Sequence, residues 1–480
     1  MKSFYEKGQN MNRREFLDFM AKTGVMAFTS PFLLNAKNTF SGEKLNFVLI
    51  LIDDLGWRDL HCYGSKYYET PNIDEIATQG MRFTDAYSAC TVCSPSRAAI
   101  LTGKYPARLH LTDWISGHRS PHAKLKVPDW TKYLPLEEVT IAEVLKKEGY
   151  ATASIGKWHL TNNNDVEEVY YPLNQGFDIN IAGSYWGRPI HGYFDPYQMP
   201  HLNNRKKGEY LTDRLTDEAL NFIDQNRDQP FFLYFAHYAV HKPLAAKEEL
   251  IAKYQNKPGD HGQSNPVYAA MIESVDESVG RIVKKLKELG LYEKTVIIFH
   301  SDNGGLLGPT SNWPLRGGKG TVYEGGVRVP LIIRWPGVVE PGSVCTDPVI
   351  GIDLFPTIIE MAGIDWKEPV DGVSLVPLLT KEGKFKREAI YIYWHYPHYH
   401  TQGATPYSAI RDGDYKLIEF FEDHHLELYN LKEDIGETKN LVEDEPEKAI
   451  ELHRKLIEWR EEVNAQMPLI NPDYDPSKEK

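Results

Sequence analysis

One stretch of this sequence determines how the rest of the chain is interpreted: Cys90-Thr91-Val92-Cys93-Ser94-Pro95-Ser96-Arg97-Ala98-Ala99-Ile100-Leu101-Thr102-Gly103. Pro95 fits the first turn of a helix, because its missing N–H costs nothing there, and Ala98 to Leu101 continue that helix. Cys93 is therefore expected just before a helix N-terminus, where free N–H groups and the helix dipole favour an anion. Arg97 adds a cation one turn later that suits a tetrahedral oxyanion.

Two simpler interpretations of the cysteines exist. The spacing Cys90-x-x-Cys93 is also that of a thioredoxin-like redox pair. A free cysteine is most often a small buried apolar side chain, which is a second alternative for Cys93. Neither alternative accounts for the run from Cys93 through Arg97 to Leu101-Thr102-Gly103. We therefore interpret the run as one motif.

This motif resembles the signature of the sulfatase family, Cys-x-Pro-Ser-Arg followed by Leu-Thr-Gly, and the match is complete. The resemblance extends along nearly the whole mature chain. It is closest to the type I, formylglycine-dependent sulfatases of the alkaline phosphatase superfamily, and among them to exported bacterial aryl and polysaccharide sulfatases. It implies that a formylglycine-generating maturation enzyme oxidises Cys93 to formylglycine (3-oxoalanine), which hydrates to a gem-diol nucleophile.

Length and composition limit the possible functions. The chain has 480 residues, which is enough for more than one domain or subdomain. Its net charge of −13 argues against nucleic acid as a partner. Local positive charge must therefore outweigh the global charge if the substrate is an anion. Only 4 cysteines occur, so the chain is not a disulfide scaffold.

The first residues of the chain resemble an export signal. Asn12-Arg13-Arg14-Glu15-Phe16-Leu17 opens a moderately apolar stretch that reaches Leu34. This pattern resembles a twin-arginine signal, with an amphipathic surface helix as the alternative. The stretch is too interrupted to span a membrane, and no other segment could. We predict an export signal and leader over residues 1–43, starting at Met1 or Met11. The mature chain is predicted to have no membrane span and to be periplasmic, or else secreted or surface-associated.

The region after the leader alternates predicted strands and helices. Leu45 to Ile52 is a continuous apolar run, which indicates a strand buried on both faces. Thr140 to Lys147 predicts a helix with a capping box, and further apolar runs follow at Phe231–Ala236 and Thr295–His300. This alternation predicts an α/β fold. The resemblance implies its form, an alkaline-phosphatase-like large mixed, mostly parallel sheet sandwiched by helices.

The pattern changes past about residue 380. Short runs such as Ile390–Trp394 and Tyr415–Phe420 predict antiparallel strands, and Pro446–Val463 predicts an amphipathic closing helix. We therefore predict a catalytic domain over residues 44–379. A smaller α+β subdomain built on a short antiparallel sheet is predicted over residues 380–480.

Oxygen-bearing side chains follow two of the predicted strands. Asp53 and Asp54 come directly after the first strand, and Asp302 and Asn303 follow a later one. Adjacent aspartates repel each other and need a cation, although one of them could instead cap a helix. Oxygen ligands alone select a hard cation, calcium (Ca²⁺) or else Mg²⁺, over zinc. The resemblance implies the same metal ligands together with an oxygen derived from Cys93.

The remaining catalytic candidates rest on the resemblance. Lys157 and His159 resemble the family's Lys-x-His element, His241 its His-x-Pro element and Lys319 its Gly-Gly-Lys loop. Taken singly, a histidine is more often structural and a lysine more often solvated. Their occurrence together implies a sulfate-binding site in which Arg97 also takes part. His241 or Lys319 would protonate the leaving alcohol, and His159 would accept a proton afterwards.

Aromatic, histidine and arginine residues in loops suit the binding of sugar rings. The candidates for substrate binding are Trp186, Arg188, His191, Arg316, His398 and His400, with Trp114, His118, Trp313, Trp394 and His395 as further possibilities. We expect about half of them to be structural. Export and this set of loops favour a sulfated glycan over a small aryl ester. A phosphatase or phosphonate monoester hydrolase of the same fold, and an unmodified glycan-binding relative, are the alternatives.

Overall fold

The computed structural model describes residues 44–380 and 391–478 of the chain. The export signal predicted over residues 1–43 lies outside the described residues, as does Ile390, where a strand was predicted to begin. From Leu45 onward the described residues form one compact unit. The domain division near residue 380 adjoins residues that are not described, and it stays a prediction.

The strands, in chain order, are β1 Asn46–Ile52, β2 Met81–Phe83, β3 Ala86–Tyr87, β4 Leu125–Lys126, β5 Ala151–Gly156, β6 Ile179–Ile181, β7 Phe231–Ala236, β8 Thr295–Ser301, β9 Leu331–Arg334, β10 Ser343–Cys345, β11 Val349–Ile350, β12 Tyr391–Tyr396, β13 Tyr407–Asp412, β14 Tyr415–Phe420, β15 Leu426–Asn430 and β16 Leu469–Ile470. The helices are α1 Pro71–Gln79, α2 Cys93–Thr102, α3 Pro106–Leu109, α4 Ile141–Lys147, α5 Leu211–Gln225, α6 Glu248–Tyr254, α7 Pro266–Glu288, α8 Glu324–Val327, α9 Leu354–Met361, α10 Val376–Thr380 and α11 Pro446–Glu462.

A sheet of eight strands forms the centre of the fold, in the order β10-β2-β9-β8-β1-β7-β5-β6. β9 pairs antiparallel with β2 and β8, whereas the other neighbouring pairs are parallel. β1 lies between β8 and β7, and all of its residues are buried. The predicted large, mixed and mostly parallel sheet is confirmed.

Helices cover both faces of this sheet. Alternate residues of β1 point in opposite directions, so that Val48 and Ile50 belong to one apolar cluster and Leu49 and Leu51 to another. Helices α5 and α7 contribute to the first cluster, and α2, α4 and α9 to the second. Burial of each such aliphatic side chain stabilises the fold by about 1.5–3 kcal/mol. This packing holds the strand ends in place.

A second sheet near the C-terminus has four antiparallel strands in the order β12-β13-β14-β15. Leu452 and Leu456 of α11 pack on it in a third apolar cluster, which also contains Val92 beside the signature stretch. The predicted antiparallel sheet is therefore confirmed. The sequence did not indicate β15, in which only Leu428 and Tyr429 of the five residues are buried.

Several element boundaries differ from the predictions. Helix α2 begins at Cys93 itself, with Val92 as its extended N-cap residue, so Pro95 lies two residues inside the helix. The pattern of residues 215–226 predicts a helix there, whereas α5 begins earlier, at Leu211, where Leu211 and Thr212 are buried. Residues 161–210, which the sequence predicts to be rich in loops, also contain the short strand β6. Among the described residues, no helix is both long and apolar enough to cross a bilayer.

Candidate active site

Four neighbouring strands of the large sheet deliver the candidate residues to one edge. Ile52 at the end of β1 pairs with Ser301 at the end of β8, and Gly156 of β5 pairs with Ala236 of β7. The side chains that follow these strands are Asp53 and Asp54, Asp302 and Asn303, Lys157 and His159, and His241. Because ligands bind beyond the carboxyl ends of parallel strands, this edge is the expected place for a site.

Helix α2 brings Cys93 to the same edge. The side chain is buried, and its Sγ lies 3.4 Å from Asp53 Oδ1 and 3.5 Å from Lys319 Nζ. Burial, together with the charge of Asp53, raises the pKa of the Cys93 thiol to about 12. The unmodified thiol is therefore not a thiolate near neutral pH. Cys90 is also a free thiol, but it lies in the apolar cluster beneath the C-terminal sheet.

Three buried carboxylates face three buried cations at the centre of the site. The Lys157 Nζ lies 2.7 Å from Asp53 Oδ2, and the Lys319 Nζ lies 2.6 Å from Asp54 Oδ1. The Arg97 Nε donates a hydrogen bond of 2.8 Å to Asp302 Oδ2, while its Nη1 donates to the Lys157 carbonyl oxygen at 2.9 Å. Buried charges are costly unless paired in this way.

The pKa values of Asp53 and Asp54 are shifted in opposite directions. Burial raises the pKa of Asp53 to about 7, and the carboxylates of Asp302 and Asp54 act in the same direction against the charge of Lys157. Burial also opposes ionisation of Asp54, but Lys319 and the nearby His241 outweigh it and hold its pKa below the usual range. Repulsion among carboxylates in one buried site is relieved by a cation.

The residues present fit a hard divalent cation. Ligand atoms of Asp53, Asp54, Cys93 and His241 all lie within 4.8 Å of one another. The Oδ2 of Asp54 and the Oδ1 of Asn303 are buried oxygens without a hydrogen-bond partner among the described residues. Unpartnered buried acceptors of this kind are the oxygen ligands that Ca²⁺ and Mg²⁺ prefer.

The two candidate histidines are held by backbone carbonyl groups. The Nε2 of His159 donates to the Ile115 carbonyl oxygen, which leaves its buried Nδ1 without a partner among the described residues. Burial and the charge of Lys157 lower the pKa of His159 well below its ordinary value. The Nδ1 of His241 donates to the Lys242 carbonyl oxygen at 2.7 Å, and its Nε2 lies 3.7 Å from Asp54 Oδ2. Because its Nδ1 has no partner among the described residues, His159 can accept a proton through that atom.

A cavity of about 490 Å³ opens onto these residues. Cys93, His159, His241 and Lys319 line it, together with six of the described residues that can contact a larger ligand: Trp114, His118, Trp186, Arg188, Lys242 and His400. Trp186, Arg188 and His400 are thereby placed at the cavity. Trp186 is held by the Ser184 hydroxyl, which accepts its backbone N–H at 3.2 Å.

The other candidates for substrate binding do not line this cavity. His398 is buried against Trp130 and hydrogen-bonds Thr112 Oγ1 at 2.8 Å. Arg316 donates from Nη1 to the Tyr429 hydroxyl at 2.9 Å. His191 is exposed, and its ring centroid lies 5.7 Å from that of Trp186.

Three of the further possibilities are likewise engaged elsewhere. The Nε1 of Trp394 donates to the Ser88 carbonyl oxygen inside the third apolar cluster. His395 contacts the Ser408 hydroxyl at 2.6 Å, and Trp313 stacks on His261. The contacts of Trp394 and His395 involve the second sheet, and that of Trp313 joins two loops.

The sequence did not single out Lys242, Ile115 or Gln402 as cavity residues. Lys242 was detectable, because it lies inside the His-x-Pro element between His241 and Pro243. Ile115 contributes a carbonyl oxygen, which no side-chain pattern reveals.

Family models match most of the chain. The model described as Sulfatase matches residues 45–364, and the model described as N-sulphoglucosamine sulphohydrolase, C-terminal, matches residues 318–462. A curated sulfatase of Formosa agariphila is 35% identical over 511 residues, covering 91% of this chain and 92% of that protein. The N-acetylgalactosamine-6-sulfatase of Mus musculus is 35% identical over 378 residues, covering 72% and 68%.

A solved structure agrees with these sequence matches. The crystal structure of Ps i-CgsB in complex with k-i-k-neocarrahexaose has a TM-score of 0.73 and 31% identity to this chain, and the match covers 91% of this chain and 96% of that one. The alkaline-phosphatase-like fold, the family models and these relatives lead to one conclusion: the chain belongs to the sulfatase family and is a sulfuric ester hydrolase.

Proposed function

We propose that this sulfatase removes sulfate from a sulfated polysaccharide or oligosaccharide, using a formylglycine derived from Cys93 and one divalent cation. The observation that carries the proposal is the position of Cys93. It lines the cavity with its Sγ close to both Asp53 and Lys319, at the carboxyl edge of the sheet. A nucleophile formed there would meet a sulfate group held between cations.

The proposed nucleophile explains why a thiol would not suffice. Hydrated formylglycine has two hydroxyl groups, one to attack sulfur and one whose collapse to the aldehyde expels sulfate afterwards. The buried Cys93 thiol, with its raised pKa, offers neither a ready anion nor a second hydroxyl. Cys93, Pro95 and Arg97 are all buried in the folded chain, which supports oxidation before folding. This supports a separate maturation enzyme that reads the unfolded motif.

The cation that fits this site is Ca²⁺, with Mg²⁺ as the alternative. Asp53, Asp54, Asp302 and Asn303 would hold it together with the oxygen derived from Cys93. Such an ion supplies positive charge that polarises the sulfate oxygens and the attacking hydroxyl.

The chain's own side chains supply binding and proton transfer. Arg97, Lys157 and Lys319 would orient the sulfate group and offset its charge. Asp302 is the proposed base for the attacking hydroxyl. His241 or Lys319 would donate the proton to the leaving alcohol oxygen. The unpartnered Nδ1 of His159 would take the proton from the second hydroxyl.

The shape and lining of the cavity support a carbohydrate substrate. Trp114, Trp186, His118 and His400 present rings and ring nitrogens to a space of about 490 Å³. A similar chain has been solved in complex with k-i-k-neocarrahexaose, and another relative is an N-acetylgalactosamine-6-sulfatase. Export by the twin-arginine-like signal would place the enzyme in the periplasm, where it would encounter such glycans.

Two measurements test the proposal. A panel of defined sulfated oligosaccharides, a small aryl sulfate and the matching phosphate ester should show turnover of sulfate esters, with at least one oligosaccharide preferred. Mass analysis of the Cys93 peptide should show formylglycine. Cys93→Ser, made in a host that modifies only cysteine, should fold and lose turnover, whereas the matched Cys90→Ser should be nearly unaffected. Turnover of the phosphate ester alone, or wild-type rates in Cys93→Ser without modification, would contradict the proposal.

A further inference from the structure

The mouth of the cavity carries positive charge that the sulfate-binding centre does not use. Arg188 and Lys242 both line the cavity, and both are exposed. Within residues 44–380 and 391–478 neither side chain forms a hydrogen bond or an ion pair that satisfies its charge. In contrast, Arg97, Lys157 and Lys319 are each paired with an aspartate of the centre.

Local contacts hold both residues next to the catalytic groups. Gly187 packs against the ring of His159, since a Cβ added to it would lie 2.7 Å from Nε2. Arg188 is the next residue after this contact. Lys242 directly follows His241, and its carbonyl oxygen accepts from the His241 ring. The two cations therefore flank the reacting centre on two different loops.

His400 and His118 line the same cavity, with their ring centroids 4.7 Å apart. Burial lowers the pKa of His400 to about 3, and His118, Lys319 and Lys242 add to this effect, whereas Asp54 opposes it. Lys242 and His400 both line this cavity. None of the cavity-lining residues in the described part of the chain is an aspartate or a glutamate. The cavity mouth is therefore a local region of positive charge in a chain whose net charge is −13.

We propose that Arg188 and Lys242 form a second anion site, which binds a sulfate or carboxylate group of the glycan other than the ester that is cleaved. This inference rests on the proposed carbohydrate sulfatase function. In the proposed function, Arg97, Lys157 and Lys319 bind the ester that is cleaved, so that Arg188 and Lys242 have no part in that step. The substrate class that uses them is a glycan with a second anionic group on the same or the neighbouring sugar. Arg188 can bind such a group through two parallel N–H donors, and Lys242 adds a point charge.

The test compares three disaccharides built on the sugar that the panel identifies: one with a single sulfate, one with a second sulfate, and one with a uronate carboxylate instead. In the wild-type enzyme, kcat/KM should be about tenfold or more higher for at least one doubly charged compound, and this preference should fall as salt rises. The compound that is preferred identifies the anion as sulfate or carboxylate.

Variants assign the preference to the two residues. Arg188→Gln and Lys242→Gln should each lower the ratio of kcat/KM for the doubly charged substrate to kcat/KM for the singly charged one by about tenfold, mainly through KM. Arg188→Lys should retain part of this preference. Lys284→Gln is the matched control, because Lys284 is an exposed lysine on α7 outside the cavity. Titration calorimetry of the same disaccharides into Cys93→Ala protein should show the same order of affinities.

The outcomes separate the two proposals. Equal kcat/KM for singly and doubly charged disaccharides in the wild type, or an unchanged ratio in both glutamine variants, would overturn the second anion site alone. Absence of turnover of every sulfate ester, the aryl sulfate included, would overturn the proposed function and this inference with it.

Discussion

At the scale of single residues, Gly187 is in direct contact with the imidazole of His159. A Cβ at this position would lie 2.7 Å from both Cε1 and Nε2 of the ring, which is closer than such atoms approach each other. The ring cannot yield freely, because its Nε2 is held by the Ile115 carbonyl oxygen. The absence of a side chain at residue 187 therefore sets the orientation of the proposed proton acceptor.

We predict that Gly187→Ala lowers kcat by about tenfold to 100-fold, because a catalytic group displaced by about 1 Å loses its alignment. Aryl sulfate kinetics measure this effect, and circular dichroism and metal analysis should be unchanged. Gly436→Ala is a milder comparison, since its added Cβ would lie 3.3 Å from the Pro314 carbonyl oxygen and would not meet a catalytic ring. Wild-type kcat in Gly187→Ala would show that the ring is free to move.

His400 and His398 are two residues apart but are expected to respond differently to substitution. His400 lines the cavity, whereas His398 is buried and bonded to Thr112. We predict that His400→Ala lowers kcat/KM for the oligosaccharide several-fold more than for a small aryl sulfate. His398→Ala should instead lower the free energy of unfolding by about 1–3 kcal/mol, because it leaves the buried Thr112 hydroxyl unpartnered. The same ratio of the two activities in both variants would contradict a substrate contact by His400.

At the scale of elements, strand β14 connects the second sheet to the loop that carries Lys319. The buried Lys416 Nζ lies 2.9 Å from Glu324 Oε1 of α8 and 2.9 Å from Glu437 Oε1. The Glu324 backbone N–H also donates to Glu437 Oε2 at 2.6 Å. The glycine-rich loop that contains Lys319 leads directly into α8. This buried network therefore anchors one end of the loop.

Replacing Lys416 leaves the buried Glu437 carboxylate without its cation, whereas Glu324 keeps Arg328, whose Nε lies 3.3 Å from Glu324 Oε2. We predict that Lys416→Met lowers the free energy of unfolding by about 3–5 kcal/mol, which urea denaturation can measure. Lys432→Met, at an exposed lysine, should change it by less than about 0.5 kcal/mol. Equal stability of the two variants would mean that Glu324 and Glu437 find other partners.

Helix α11 is attached to β14 through Glu419, and this contact has a pH dependence. Burial opposes ionisation of Glu419, but His453, Arg460 and His424 outweigh it and lower its pKa to about 2 from an ordinary value of 4.5. Since the folded pKa lies below the unfolded one, the stabilisation is complete above about pH 4.5 and is lost as the pH falls towards 2.

We predict that Glu419→Gln is less stable than the wild type by about 1–3 kcal/mol at pH 7, and that the difference shrinks as the pH is lowered below 4.5. Thermal unfolding followed at several pH values between 7 and 3.5 measures both curves. A difference that is constant over this range would show that Glu419 acts through packing and not through its charge.

At the scale of the whole molecule, the large sheet brings three carboxylates together and keeps them apart from solvent. Asp53, Asp54 and Asp302 come from two strand ends that are far apart in sequence. An ion that binds only the folded chain stabilises it by about 2.7 kcal/mol at 100 times its dissociation constant. The whole fold should therefore respond to the metal.

We predict that Ca²⁺ raises the Tm of the full chain by several degrees and that a chelator reverses the change. Asp53→Asn and Asp302→Asn should abolish the response, whereas Asp365→Asn, at a side chain that is 79% exposed, should retain it. Calorimetry with Ca²⁺, Mg²⁺ and Zn²⁺ gives the order of affinities. Two zinc ions per chain in metal analysis would favour the phosphatase alternative.

The sequence by itself determined the elements whose signals are local. The apolar run of β1 and the capping box of α4 predict their elements, because a strand buried between neighbours and a capped helix depend on adjacent residues. The signature around Cys93 identified the family for the same reason. The sequence also placed Asp53 and Asp302 after strands, so their convergence could be predicted from the rule for parallel sheets.

Only the tertiary structure decided which aromatic and histidine residues face the cavity. His398 bonds to Thr112, which is 286 positions away, and Trp394 bonds to Ser88 at a separation of 306. Such contacts determine whether a side chain is buried as a support or exposed to a ligand, and no local pattern records them. The position of Lys242 inside the His-x-Pro element places it near the site, but only the packing of the loops around the sheet edge shows that it lines the cavity.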